Sequence, residues 1–307
     1  MRPKEIEPLI LFSLPRSGST LTQRILASHR HISTVSEPWL LLPYLYTLKK
    51  DGTHTEYGYF MLVEAIEDLC RKMPNGKTDY LESMRDFVIQ IYAKLSHGDS
   101  LYFLDKTPRY HLITDEIFQL FPNGKFIFLW RHPLAIAASI IETWADGKWN
   151  LFRYHIDLYD GLANLISAYQ KHQDVSYALR YEDLLLKRDQ ELEKLLGYLE
   201  LSSDSNCFLD TTPTALDGRW GNPPKAKRYK SLSSEPLEKW KIILANPLRK
   251  AWCRRYLEWI GKERLAIMGY SLQDLLEELN SIPISFHMLQ SDVVRMPYGS
   301  LPKLRIG

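Results

Sequence analysis

The chain has 307 residues, 45% of them hydrophobic and 25% charged, with a formal net charge of +2. That length holds one large α/β domain or two small ones, and so small a net charge gives no global reason to bind nucleic acid or an anionic membrane. Cys70, Cys207 and Cys253 are odd in number and far apart, with no C-x-x-C, which argues against a disulfide scaffold and for a reducing compartment. The apolar run at the N-terminus is too short for a signal segment and no stretch is long enough to span a bilayer, so a cytoplasmic protein with no membrane span is expected.

The first predicted element is a buried strand over Leu9-Ile10-Leu11-Phe12. Pro15-Arg16-Ser17-Gly18-Ser19-Thr20 follows as a tight turn, and Thr20 to Leu26 continues with helical spacing. A turn feeding a helix N-terminus gathers backbone amides at one point. Ser17, Ser19 and Thr20 add hydroxyls, Gly18 admits close backbone approach, and Arg16 brings a forked cation. The stretch is an anion cradle suited to phosphate. It is not a Walker A loop: no Gly stands at the first-glycine position ahead of Gly18, and Ser19 stands where the Lys would be.

Residues 31–35 read as a second strand ending at Ser36-Glu37-Pro38, followed by an aromatic, irregular stretch over 39–60. Helices are expected near 57–72 and 79–96, then a strand over 101–104 running into Asp105-Lys106-Thr107-Pro108, then a helix over about 109–121. Lys125 to Trp130 is the clearest strand. Arg131-His132-Pro133 and an Ala/Ile-rich helix over 134–145 follow it, with Ser139 two turns in. A helix near 153–172, a strand over 175–180, a charged surface helix over 184–200, a Pro/Gly/Lys-rich loop over 211–234 and helix over 235–265 complete the core. Residues 266–307 read as a C-terminal arm, with little periodicity beyond 281.

Alternating strands and helices imply right-handed crossovers and a parallel sheet, hence a three-layer α/β/α fold. Arg16, Glu37, Lys106 and Arg131 all fall at strand ends, where such sheets bind ligands. His29-x-His31 offers two imidazoles but no third ligand, and no metal is expected. His111 is a fallback base, read as a helix-surface residue.

The Pro-Arg-Ser-Gly-Ser-Thr-Leu stretch resembles the 5′-phosphosulfate loop of the sulfotransferases, and residues 126–133 with Ser139 resemble their 3′-phosphate segment. Asp105-Lys106-Thr107-Pro108 is similar to the Lys-x-Pro step of the tyrosylprotein group rather than the Lys-x-His of cytosolic members, so the His base is missing and Glu37 stands at the matching distance from Arg16. The resemblance implies one P-loop-NTPase-like sulfotransferase domain over 1–307. It implies sulfuryl transfer from 3′-phosphoadenosine 5′-phosphosulfate (PAPS) to a hydroxyl of a small molecule, carbohydrate or peptide, leaving 3′-phosphoadenosine 5′-phosphate (PAP). Glu37, Arg16 and Lys106 would be catalytic. Arg16, Ser17, Gly18, Ser19, Thr20, Arg131, Ser139, Tyr181, Lys230 and Lys239 would bind the donor, with Tyr181 near the adenine and Lys239-Trp240 closing over it. One departure is plain: where the tyrosylprotein group has a further Arg one turn beyond the Ser, this chain has Thr143. The transferred group carries less charge than a phosphoryl group, so Arg16 and Lys106 would offset its developing charge without Mg²⁺. A P-loop-like nucleotide kinase and a non-catalytic nucleotide-binding protein of the same fold stand as alternatives.

Overall fold

Alternation along the strands sets the centre of the molecule. In the first strand, β1 (Glu7–Ser13), Ile10 and Phe12 enter one core cluster while Leu9 and Leu11 enter another, all four fully buried. A strand buried on both faces belongs to a sheet covered on both sides, as parallel sheets are. The structure is a computed structural model that describes residues 6–50, 53, 55–56, 58–202, 216 and 235–298.

From β1 the chain enters α1 (Ser19–Leu26), β2 (Ile32–Thr34), a short α2 (Leu41–Tyr46), α3 (Tyr59–Lys72) and α4 (Lys77–Leu95). Then come β3 (Tyr102–Asp105), a 3₁₀ turn (Pro108–Leu112), α5 (Thr114–Leu120), β4 (Lys125–Trp130) and α6 (Pro133–Trp144). A second 3₁₀ turn (Leu151–Tyr154) and a π-helical turn (Ile156–Gly161) lead into α7 (Leu162–His172), β5 (Ser176–Arg180), α8 (Tyr181–Leu186) and α9 (Arg188–Tyr198). Four helices close the described chain: α10 (Glu235–Ile243), α11 (Pro247–Ile267), α12 (Leu272–Ser281) and α13 (Leu289–Tyr298).

The five strands lie in the order β2-β3-β1-β4-β5, every neighbour parallel. After β1 the chain moves to one side of it and then crosses to the other, so the switch in direction lies at β1, where open α/β sheets place a ligand crevice. On one face Phe12, Phe118, Phe126 and Phe128 form an aromatic cluster, with Phe118 and Phe126 ring centroids 4.1 Å apart. On the other, Leu9, Leu11, Ile127, Leu129 and Leu179 pack with residues of α1, α8 and α9. This is the three-layer arrangement that the strand and helix pattern implies, as in the P-loop-like fold that the resemblance implies.

Several segments differ from the sequence reading: the irregular stretch over 39–60 holds α2, and the helix expected over 235–265 divides into α10 and α11. The single helix expected over 109–121 is a 3₁₀ turn and then α5, because Ile113 leaves helical geometry at φ −135°. The helix expected near 153–172 becomes regular only at Leu162, after the π-helical turn. The aperiodic end holds α13, which is fastened to α11 by charge: Arg249 donates through Nε to Asp292 Oδ2 at 2.6 Å and through Nη2 to Oδ1 at 3.1 Å. Asn246 caps α11 and donates to the same carboxylate, and Arg249 also reaches the Ile243 and Gly147 carbonyls. Asp292 is fully buried.

Removing one member of a buried, hydrogen-bonded pair strands the other in low dielectric and costs about 3–5 kcal/mol. Asp292→Ala should therefore lower the thermal unfolding midpoint sharply, and the double variant Asp292→Leu with Arg249→Met should recover part of the loss. Calorimetric melts of the three proteins check both outcomes.

Candidate active site

The turn after β1 is built from two left-handed residues, Arg16 at φ 68° and Gly18 at φ 91°. Ser17 N–H donates to the Leu14 carbonyl at 3.3 Å, and the Gly18 carbonyl accepts from Leu21 and Thr22 to start α1. Gly18 is required twice over. Its φ disfavours any side chain, and a Cβ there would lie 2.3 Å from the Tyr181 ring at the start of α8. The Arg131 guanidinium lies over that same ring, 4.5 Å from its centroid, and Nη1 donates to the Arg16 carbonyl at 2.8 Å. The ends of β1, β4 and β5 are thus tied into one cradle. Ser17 and Ser19 are buried within it, and Ser17 Oγ has no hydrogen-bond partner among the described residues.

Arg16 extends from this turn to α6. Its Nε donates to Ser139 Oγ and its Nη2 to Thr143 Oγ1, each at 3.1 Å, and its guanidinium stands 5.9 Å from the Trp144 ring. Lys239 of α10 meets the same helix through an ion pair with Glu142 at 2.5 Å. Its neighbour Trp240 is buried and stacks on His132 with centroids 4.5 Å apart. His132 Nδ1 caps α6 by accepting from the Leu134 and Ala135 amides, so its proton sits on Nε2, 3.5 Å from Glu278. The nearby His132 ring, helped by Lys241, holds the Glu278 carboxyl down at about 2 against burial.

Glu37 and Lys106 meet at the ends of β2 and β3. Lys106 Nζ donates to Glu37 Oε1 at 2.7 Å, with the lysine side chain fully buried and the glutamate 12% exposed. The backbone around Glu37 is stitched down on both sides. Before it, Thr34 Oγ1 donates to the Leu104 carbonyl and Gln23 donates to Thr34 Oγ1 and the Val35 carbonyl. After it, Trp39 N–H donates to Thr107 Oγ1 at 3.3 Å. Burial lowers the pKa of Lys106, and the charge and hydrogen bond of Glu37 work against that fall. Behind Lys106, burial raises Asp105 to about 6 although Tyr92 and Tyr110 hydroxyls both donate to its Oδ2.

The structure therefore brings together Arg16, Ser17, Gly18, Arg131, Ser139 and Tyr181 around one cradle, and Glu37 with Lys106 as a second group. Thr20 stands in the first turn of α1, Lys239 pairs with Glu142 of α6, and Lys230 lies outside the described residues. His111 is not on a surface. It is fully buried, with Nε2 2.9 Å from Asp157 Oδ1, and Arg109 holds the same carboxylate. The rings of His29 and His31 face the Ser202 and Asp99 carbonyls. Beyond α6 Trp149 is buried, whereas Trp144, the last residue of that helix, is exposed and lies 4.9 Å from Tyr154. Among the described residues no helix is long and apolar enough to cross a membrane. The sequence reading missed Thr143 as a partner of Arg16 and Asp105 as a buried acid beside Lys106. Only the i, i+4 spacing of Ser139 and Thr143 hinted at the first.

Residues 8–205 match the model of the Sulfotransferase family. The match takes in well over half of the chain, which belongs to that family. The chain is 36% identical over 140 residues to nodulation protein NoeE of Sinorhizobium fredii, a stretch covering 45% of this chain and 32% of that protein. It is 23% identical over 214 residues to protein-tyrosine sulfotransferase 2 of Gallus gallus, covering 65% of this chain and 52% of that one. The matches span between a quarter and about half of the length of these curated relatives. Among solved structures, the sulfotransferase domain from the curacin biosynthetic pathway superposes with a TM-score of 0.55 at 21% identity, over 83% of this chain and 97% of that one, a likeness of fold.

Because Glu37 holds up a lysine pKa that burial pulls down, Glu37→Gln should let it fall further. The neutral amine then appears at lower pH than in the wild type. A ¹³C NMR titration of the lysine ε-methylene should show the Lys106 midpoint displaced downward; an unchanged midpoint would mean that Glu37 does not sustain the charge.

Proposed function

We propose that this chain moves the sulfuryl group of PAPS to a hydroxyl acceptor, with Glu37 as general base, Lys106 on the leaving oxygen, and PAP as the product. The observation that carries the reading is the 2.7 Å Lys106–Glu37 contact at the strand ends beside an anion cradle. A cation for the leaving group and a base for the attacking hydroxyl are what group transfer between two oxygens needs.

The cradle fits the donor. Gly18 leaves no Cβ in the way, the buried Ser17 hydroxyl has a hydrogen bond to give, and the first amides of α1 are oriented for an anion. Ser17, Gly18, Ser19 and Thr20 would hold the 5′-phosphate end, Arg131 and Ser139 the 3′-phosphate, and Tyr181 the face beneath. Lys230 and Lys239 are expected on the closing side. When bound, PAPS supplies an activated sulfuryl group on a phosphate leaving group. Glu37 takes the acceptor's proton, and its hydrogen bond from Lys106 fixes the orientation of the carboxylate. Lys106 holds its charge at the point where negative charge gathers, in a site dry enough to strengthen that attraction. The acceptor would enter on the Glu37 side, where Trp39 is 40% exposed and left-handed at φ 55°. A hydroxyl of a small molecule, carbohydrate or peptide fits the chemistry equally.

Removing a positioned general base lowers turnover by roughly 10²–10⁴-fold. Glu37→Gln should show that loss in PAP release from PAPS across a panel of phenols, sugars and tyrosyl peptides, while titrated PAP still binds. Near-normal turnover in this variant would remove Glu37 from the mechanism.

A further inference from the structure

We propose that Asp105 is a positioning residue for the transfer, a second buried counter-charge that keeps the Lys106–Glu37 pair ionised. The assignment rests on the sulfuryl-transfer reading above, because it concerns the base and the cation which that reading employs.

A buried lysine touching a carboxylate has a way to fail. In a dry site the Lys106 ammonium can pass its proton along the 2.7 Å hydrogen bond to Glu37, which removes the cation and the base together. A further negative charge favours the ionised pair. Asp105, the last residue of β3 and the neighbour of Lys106, is fully buried. Its charge helps Glu37 to hold the Lys106 pKa up, while burial and Arg24 of α1 pull it down. The carboxylate is fixed in place. Tyr92 of α4 and Tyr110 of the 3₁₀ turn both donate to Oδ2, at 2.6 and 2.9 Å, and Oδ1 has no hydrogen-bond partner among the described residues. Lys106, Tyr92 and Tyr110 are the titratable groups that act on Asp105, and all three favour its ionised form against burial. The Tyr110 hydroxyl also accepts from the Leu41 amide at 3.3 Å, and Thr107 Oγ1 accepts from the Trp39 amide, so the same network ties the strand end of Lys106 to the chain beyond Glu37. During transfer Glu37 takes the acceptor's proton as the S–O bond to the acceptor forms and the S–O bond to the donor phosphate breaks, its electron pair staying on the phosphate oxygen. Glu37 is then neutral, and Asp105 is the carboxylate that still sustains the Lys106 cation.

The substitution that isolates the charge is Asp105→Asn, whose amide oxygen still accepts from both tyrosines. In a ¹³C NMR titration of the lysine ε-methylene of the full chain, the Lys106 midpoint of this variant should lie below that of the wild type. Turnover of PAPS with the same panel of phenols, sugars and tyrosyl peptides should fall about 10- to 100-fold, the range for losing a group that supports a reacting one. Burial raises Asp105 to about 6, so wild-type kcat should step down as pH falls through that value, and Asp105→Asn should lack the step. Tyr92→Phe keeps the carboxylate and removes a hydrogen bond that favours its charge, so it should move the step to higher pH. A purely structural role for Asp105 would move neither the Lys106 midpoint nor the step. An unchanged Lys106 midpoint in Asp105→Asn overturns the assignment, and so does undiminished turnover. If thermal melts show that Asp105→Asn does not fold, Tyr92→Phe decides alone, and a step left in place overturns the assignment. A displaced midpoint in a chain whose wild type releases no PAP with any acceptor overturns the sulfuryl-transfer reading instead, and leaves Asp105 no transfer to serve.

Discussion

The loop between β1 and α1 depends on an unfavourable backbone. Two residues two positions apart, Arg16 and Gly18, are both left-handed, and only one of them is a glycine. Gly18 bears the geometry at little cost, while Arg16 costs roughly 1–2 kcal/mol. Contacts from three other elements hold the loop in this form: the Tyr181 ring against Gly18, the Arg131 fork on the Arg16 carbonyl, and Ser139 with Thr143 on the Arg16 side chain. The strain and the contacts explain one another. A loop pinned from three sides presents its amides without reorganisation when an anion arrives, which is the condition for strong electrostatic stabilisation.

Two of the places where the fold buries charge serve different ends. Arg249 and Asp292 are both essentially inaccessible and satisfy each other with two hydrogen bonds, aided by Asn246 and two backbone carbonyls. Saturated in this way, the pair fixes where α13 sits on α11. Lys106 is equally buried but less fully compensated. Its pKa falls through burial, and it leans on a glutamate that is partly open to solvent. An ion pair with one solvent-facing member keeps a group available for proton transfer, whereas a sealed pair does not. The same contrast separates Asp105, raised to about 6 and fed by two tyrosine hydroxyls, from the exposed carboxylates of the helices.

Much of this was legible in the chain because the signals were local. Lys125 to Trp130 is an apolar run bounded by Gly124 and Arg131, and it is a strand over those same residues. Gly18 announces a turn that no side chain tolerates, and the strand-end positions of Lys106 and Arg131 follow from where the apolar runs stop. What escaped the sequence depends on partners far away in it. Arg16 meets Ser139 across 123 positions, and the spacing of Ser139 and Thr143 does not by itself name their partner. The seat of residues 289–298 on α11 escaped likewise, because Asp292 finds its partner Arg249 43 positions away. His111 passed for a surface residue because Asp157, which buries it, lies 46 positions on in a π-helical turn that periodicity does not describe.

Calorimetric titration without metal tests most directly whether the cradle and the Lys106–Glu37 pair serve the proposed 3′-phosphorylated adenine nucleotide. PAP should bind in the micromolar range, ahead of ADP and of ATP with Mg²⁺, in the purified wild-type chain. Preference for ATP with Mg²⁺ would contradict the account and favour a nucleotide kinase built on the same fold.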